Sequence, residues 1–154
     1  MKFEIERYLP VNMDSNESKS AEETLIEFIT TFQKWARDCH NYVKVDRNRL
    51  NELTPKDSEA RKVMRRIFKH YCTSKNRQYH RSSVGYFFYG GTYDAYPEIE
   101  EIHLISKDKA ELVTKKIKNR YPALKYTLLK QGKSWKVDSV QRSSGNDKWA
   151  FEII

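Results

Sequence analysis

Glu101 and His103 stand two positions apart in "EIEEIHLI" (98–105), with Asp94 and Glu98 just upstream. A carboxylate and an imidazole on one strand face can pass a proton if an apolar enclosure shifts their pKa values. The competing interpretation is an exposed polar strand edge, and no spacing here is specific to a reaction. His70 and Cys72 are also two apart, but on a helical segment, where they point in different directions and cannot form a thiolate–imidazolium pair. Gly85, Gly90 and Gly91 do not make a phosphate-cradling GxGxxG, and GKS, GKT, HExxH, CxxC and a nucleophile elbow are all absent. Neither a catalytic residue, a metal nor a cofactor is expected.

A stronger signal is charge. Residues 61–90 hold eight Lys or Arg and no Asp or Glu, for +8. Residues 1–60 carry −3 and residues 91–154 carry +3, so the net +8 of the chain equals the charge of that one segment. Within it, Arg61–Arg65, Lys62–Arg66 and Arg65–Lys69 are like-charged i,i+4 pairs. Each such pair costs roughly 0.2–0.5 kcal/mol on a helix. A fold tolerates that cost without needing it, so the pattern leans towards an anionic partner. Immediately after come Arg77, Tyr79, Arg81, Tyr86, Phe87, Phe88, Tyr89, Tyr93 and Tyr96. Tyr and Arg are the side chains that anchor protein interfaces. Phe87 or Phe88 fits a sheet core equally well.

Nucleic acid is the other anionic candidate, since Tyr and Arg can stack on single strands. No RNP motif, GXXG loop, zinc finger or clear helix-turn-helix supports it. An acidic protein surface suits aromatic anchors rimmed by cations better.

The 154 residues are enough for one domain with a sizeable core, and 38% hydrophobic content with three Trp, seven Phe and ten Tyr belongs to a folded chain. No apolar run approaches a membrane span, and "MKFEIERYLP" lacks the apolar core of a secretory signal, so cytoplasmic residence and no membrane partner are expected. Cys39 and Cys72 are too few for a disulfide framework and fall at apolar helical positions, as small buried hydrophobes in a reducing compartment do.

The elements that would position these residues follow from periodicity. After a short strand near Phe3–Ile5 and a polar loop, Ser20 and Glu23 have capping-box spacing. Leu25, Phe28, Ile29, Phe32, Trp35, Ala36 and Cys39 then make a broad helical stripe. Lys44 to Leu53 is a polar connector with room for a helical turn. "TPKD" (54–57) predicts the start of a second helix, with Thr54 at the cap and Pro55 at the first helical position. In that helix Ala60, Val63, Met64, Ile67, Phe68 and Tyr71 face inward, while Arg61, Lys62, Arg65, Arg66 and Lys69 take the other side. From Pro97 the period changes to two, and strands are expected near 99–106, 110–117, 123–130, 134–140 and 148–153. Trp135 and Val137 alternate with Lys136 and Asp138; Trp149, Phe151 and Ile153 alternate with Lys148, Ala150 and Glu152. Helices followed by an antiparallel meander predict a single α+β domain, residues 1–19 being peripheral, with both helices on one face of a curved sheet.

"IFKHYCTSKNRQYHR" (67–81), "YDAYPEIEEI" (93–102), "YTLLKQGKSWKVDSV" (126–140) and "DKWAFEII" resemble immunity proteins of nuclear-transport-factor-2-like fold, which accompany Rhs-type and related bacterial polymorphic toxins. The most specific piece is the run Ile67, Phe68, Tyr71, Cys72, Thr73, Lys75, Arg77, Tyr79. The resemblance implies a cone of helices against a bent antiparallel sheet and a protein that blocks a cognate toxin domain in the producing cell. It supplies no catalytic residues, and toxin contacts in such proteins vary from pair to pair. Contact residues are therefore expected from charge and aromaticity alone: Arg65, Arg66, Lys69, Lys75, Arg77 and Arg81 to steer association, Tyr79, Tyr86 and Tyr89 to anchor it. Inhibitors of nuclease toxins are commonly acidic, so a basic contact surface points to an acidic toxin surface. The alternatives are a small-molecule isomerase or hydratase, which that fold class also hosts and which needs Glu101, His103 or Asp94 in a dry pocket, and a nucleic-acid-binding module.

Overall fold

Ser20 opens the first helix as its spacing predicts: its Oγ accepts the Glu23 backbone N–H at 3.1 Å, and its hydroxyl donates to the Glu23 carboxylate at 3.2 Å. The structure is a computed structural model and describes residues 3–9, 19–75, 77, 98–116, 123–144 and 148–151. Helix α1 runs Ala21–Val45. Asp46 then caps a 3-10 turn, Arg47–Arg49, that leads into the single-turn helix α2, Leu50–Leu53. Helix α3 spans Glu59–Tyr71. Among the described residues no helix is long and apolar enough to cross a membrane.

The second long helix starts later than "TPKD" predicts. Thr54 instead closes α2, its N–H donating to the Leu50 carbonyl at 3.0 Å. Ser58 is the cap: its Oγ accepts the Arg61 N–H at 3.2 Å and its hydroxyl donates to the Leu53 carbonyl at 2.8 Å. A buried hydroxyl satisfied on both sides outcompetes Thr54, and Pro55–Asp57 become the turn between the two.

Helix α3 packs on α1 through rings. Phe68 meets Phe28 edge-on at 5.6 Å and Phe32 at 5.3 Å, and the wholly buried Trp35 donates from Nε1 to the Ala60 carbonyl at 2.9 Å. All six residues expected to face inward from α3 are buried. Cys39 and Cys72 are buried free thiols; burial pushes both above the ordinary thiol range, Cys72 to about 12.

Five strands follow: β1 Ile99–Ser106, β2 Lys109–Thr114, β3 Leu124–Gln131, β4 Ser134–Ser143 and β5 Trp149–Phe151. They pair antiparallel in chain order, and Gly132, at φ 63°, forms the β3–β4 turn with Lys133. Leu112, Leu128 and Val137 from three neighbouring strands join the helix residues in one core cluster, so the α+β arrangement is as expected. The alternation on β4 changes phase at Asp138. Thr127 faces Ser139 but Leu128 faces Val137, so Asp138 is the extra residue of a β-bulge, and Val140 rather than Ser139 returns to the core. On β5 Trp149 is half-buried, Phe151 departs from the expected apolar face at 75% exposed, and Ile153 lies outside the described residues.

The amino-terminal stretch also differs from expectation. Ile5–Arg7 is a 3-10 turn rather than a strand, and Phe3 and Tyr8 belong to the core cluster, so this part of residues 1–19 is not peripheral. The reason is Asp38 on α1. Tyr8 donates its hydroxyl to Asp38 at 2.6 Å, and Arg7 donates from Nε at 2.7 Å and Nη2 at 3.1 Å. Three donors on one buried carboxylate fix the chain more tightly than a lone edge strand could.

Burial pushes the Asp38 carboxyl up, but the hydrogen bonds from Arg7 and Tyr8 and the Arg7 charge outweigh it and hold the group below its ordinary value. A depressed folded-state value stabilises the fold above the unfolded value and loses that contribution as pH falls through the folded one. Asp38→Ala, which orphans the Tyr8 hydroxyl, is expected to cost about 1–3 kcal/mol in urea unfolding at neutral pH. Its gap from the unmodified protein should narrow once pH drops below about 3.9. A gap that stays constant down to strong acid would show that the carboxylate's charge is not what matters.

Candidate functional site

The outer surface of α3 is the place where charge gathers. Lys62, Arg66 and Lys69 recur at helical spacing opposite the buried stripe, and all three are exposed. Lys62 meets Glu59 at 3.3 Å in an exposed pair; Arg66 and Lys69 have no carboxylate partner among the described residues. Lys69 also lies in the last turn, where positive charge complements the helix dipole.

Arg65 is half-buried rather than fully outward, and its Nη1 donates to the Lys56 carbonyl at 2.7 Å, tying the helix to the preceding turn. Arg61, expected on the outer side, is only 4% exposed. It precedes Met64 and Phe68 by three and seven positions and so shares their face. Burial lowers its guanidinium pKa, and the neighbouring Arg65 charge adds to that.

Beyond α3 the chain is clasped to β4 at its bulge. Cys72 forms a parallel bridge with Val137, and the Thr73 N–H donates to the Val137 carbonyl at 2.9 Å. Thr73 then donates its hydroxyl to Asp138 Oδ1 at 2.7 Å, while Lys75 approaches Oδ2 at 3.6 Å. Arg77 reaches back with Nη2 to the Thr73 carbonyl and hydroxyl, each at 3.0 Å, and with Nη1 to the Asp138 carbonyl at 3.2 Å. Arg77 is 7% exposed, so it holds the segment against the sheet instead of standing on a charged rim as expected. Among the described residues that follow the helix, the exposed Lys75 continues the cationic surface.

Of the nine residues singled out as contacts, the structure therefore brings Arg66 and Lys69 together on the exposed face of one helix, with Arg65 beside them and Lys75 beyond its end. It removes Arg77 to the interior. Tyr79, Arg81, Tyr86 and Tyr89 lie outside the described residues. Sequence reasoning missed Thr73 and Asp138, whose pairing 65 positions apart is a long-range contact that no local pattern announces.

The acid–base pair does form, with His103 Nε2 3.3 Å from Glu101 Oε2. Both side chains are more than half exposed, at 55% and 56%, on the strand at the end of the sheet. Glu98 is likewise exposed and faces Lys115 at 3.7 Å; Asp94 lies outside the described residues. Both side chains stand in solvent with no apolar enclosure around them, so the geometry is that of a polar strand edge. Among the described residues no group of three or more His, Cys, Asp or Glu could hold a metal ion.

The sequence model of a family described as NTF2 fold immunity proteins matches residues 20–152. No curated protein and no solved structure matches the chain. Helices α1 and α3 packed against a five-stranded antiparallel sheet are consistent with this fold. The match takes in the basic helix, the clasp at Asp138 and all five strands: the chain belongs to the NTF2 fold immunity protein family.

Proposed function

We infer that the protein neutralises a cognate toxin domain of a Rhs-type or related polymorphic toxin by covering it, without catalysis, in the cytoplasm of the producing cell. The observation that carries this reading is the solvent-facing stripe of Lys62, Arg66 and Lys69 on a helix whose other side is core, in a chain of an immunity family. Cations set at fixed spacing on a rigid element raise the encounter rate with an acidic surface more than they raise final affinity. Lys75 and Arg65 extend the stripe. Tyr79, Tyr86 and Tyr89, with Arg81 among them, are the anchors that would close over the toxin after encounter.

The test is binding of the purified chain to the variable carboxy-terminal domain of the toxin encoded beside it. The double change Arg66→Glu with Lys69→Glu is expected to slow association by about tenfold at low salt, to flatten the salt dependence, and to leave dissociation nearly unchanged. An association rate indifferent to both salt and these changes would remove α3 from the interface.

Tyr79→Ala, Tyr86→Ala and Tyr89→Ala are expected to act on the other rate, with at least one accelerating dissociation by about thirtyfold, the effect of a 2 kcal/mol anchor. If all three leave dissociation and toxin protection intact, the anchors are elsewhere.

Arg77→Ala serves as the structural contrast. It removes donors from the Thr73 and Asp138 carbonyls, so its expected effect is a melting temperature lower by several degrees, roughly 2–4 °C per kcal/mol. The association rate of the folded fraction should be unchanged.

A further inference from the structure

β1 is an end strand of the sheet, with β2 on one side and no neighbour on the other among the described residues. Folded proteins usually protect such a strand with lysines, prolines or shortness, because its free N–H and C=O groups invite another strand. β1 is eight residues long and exposes Ile102 at 50%, Leu104 at 66% and Ile105 at 54%. Register shifts lie only towards its two ends, leaving Glu101 to Leu104 in regular pairing with Val113 to Ala110.

Residues directly opposite across antiparallel strands share a face. Ile102 faces Leu112 and Leu104 faces Ala110, and both partners belong to the buried core cluster. The two exposed side chains therefore continue the helix-covered face of the sheet past its last strand. Charge is distributed unevenly along the same edge. Glu98, Glu100 and Glu101 stand at its beginning, and Lys107 and Lys109 flank Asp108 at its end.

An antiparallel strand that complements this edge has acid at its own beginning, base at its own end and apolar residues between. β1 itself has that order. A second copy laid antiparallel and centred on His103 sets Ile102 of each chain against Leu104 of the other, on one face. It also sets Glu101 diagonal to the other chain's Lys107 and brings the acidic end, at −3, towards an end that carries Lys107 and Lys109 against one Asp108, an attraction reduced by Glu98 facing Asp108. The offset is even, so side chains keep their faces across the junction, as a two-fold axis perpendicular to the sheet requires.

We propose that β1 is a self-complementary edge through which two copies of this chain pair strand to strand. One strand and its side chains bury less than the ~1,200 Å² at the lower end of stable interfaces, so the dimer is weak and reversible. This surface is separate from the basic face of α3, and the pairing does not depend on toxin binding.

Sedimentation of the full chain from micromolar to millimolar concentration tests it. A concentration-dependent monomer–dimer equilibrium is expected, with Leu104→Lys raising the dissociation constant by about tenfold or more while the melting curve stays the same. Glu100→Lys with Glu101→Lys should weaken pairing, and adding Lys107→Glu with Lys109→Glu to that variant should restore it, because the polarity is then reversed in both copies. A monomer at every concentration overturns the proposal. So does a dimer that Leu104→Lys leaves unchanged, or a fourfold variant no tighter than the double one. Toxin affinity unaltered by Leu104→Lys is expected throughout, which keeps this result distinct from the fate of the α3 reading.

Discussion

The inward face of α3 constrains everything around it. Ala60, Val63, Met64, Ile67, Phe68 and Tyr71 are all buried, which seats the helix against Phe28, Phe32 and Trp35 of α1 and against the sheet. With that face committed, Lys62, Arg66 and Lys69 have one direction left. Their outward display is a consequence of core packing, and the fold need not contribute a single polar contact to hold it. The same commitment fixes where the chain leaves the helix, since the Tyr71 ring is inside and Cys72 must continue along β4.

At that exit the bulge on β4 has a visible use. An extra residue in one strand breaks the pleat locally and re-aims its side chain. Here it turns Asp138 to accept the Thr73 hydroxyl and to meet Lys75, while its carbonyl receives Arg77. One irregular residue thus holds three positions of a strongly basic run. Asp38 plays the matching part at the other end of the chain, drawing Arg7 and Tyr8 onto α1. In both places a single carboxylate gathers several donors, an economical way to fasten irregular backbone to regular elements.

These two clasps also mark the limit of what the amino-acid order reveals. Local pattern was enough for α1 with its Ser20 cap, the buried stripe of α3 and all five strands to within a few residues, because each is a repeat of apolar positions at one period. Pattern misplaced what depends on partners far along the chain. Arg77 reads as one more cation in a basic run until Val137, Asp138 and Thr73 surround it. Thr54 and Ser58 are equally good caps by type, and only the nearby Leu53 carbonyl decides between them. Arg61 was legible, since its spacing to Met64 and Phe68 puts it on their side, but its charge outweighed its phase. Membership of the family rests on a pattern spread over residues 20–152, not on any one of these contacts.

The energetics explain why the charge on α3 can be set independently of the fold. Like-charged neighbours at i,i+4 cost roughly 0.2–0.5 kcal/mol each, and less where salt screens them. Burying one Val, Met, Ile or Phe side chain is worth about 1.5–3 kcal/mol, and α3 buries one Val, one Met, one Ile and one Phe, with a Tyr besides. The inner face therefore outweighs repulsion on the outer face several times over. Reversing, deleting or adding an outer charge changes the stability of the helix little and changes its electrostatic field a great deal. A surface with that asymmetry can change its charge without disturbing the core beneath it.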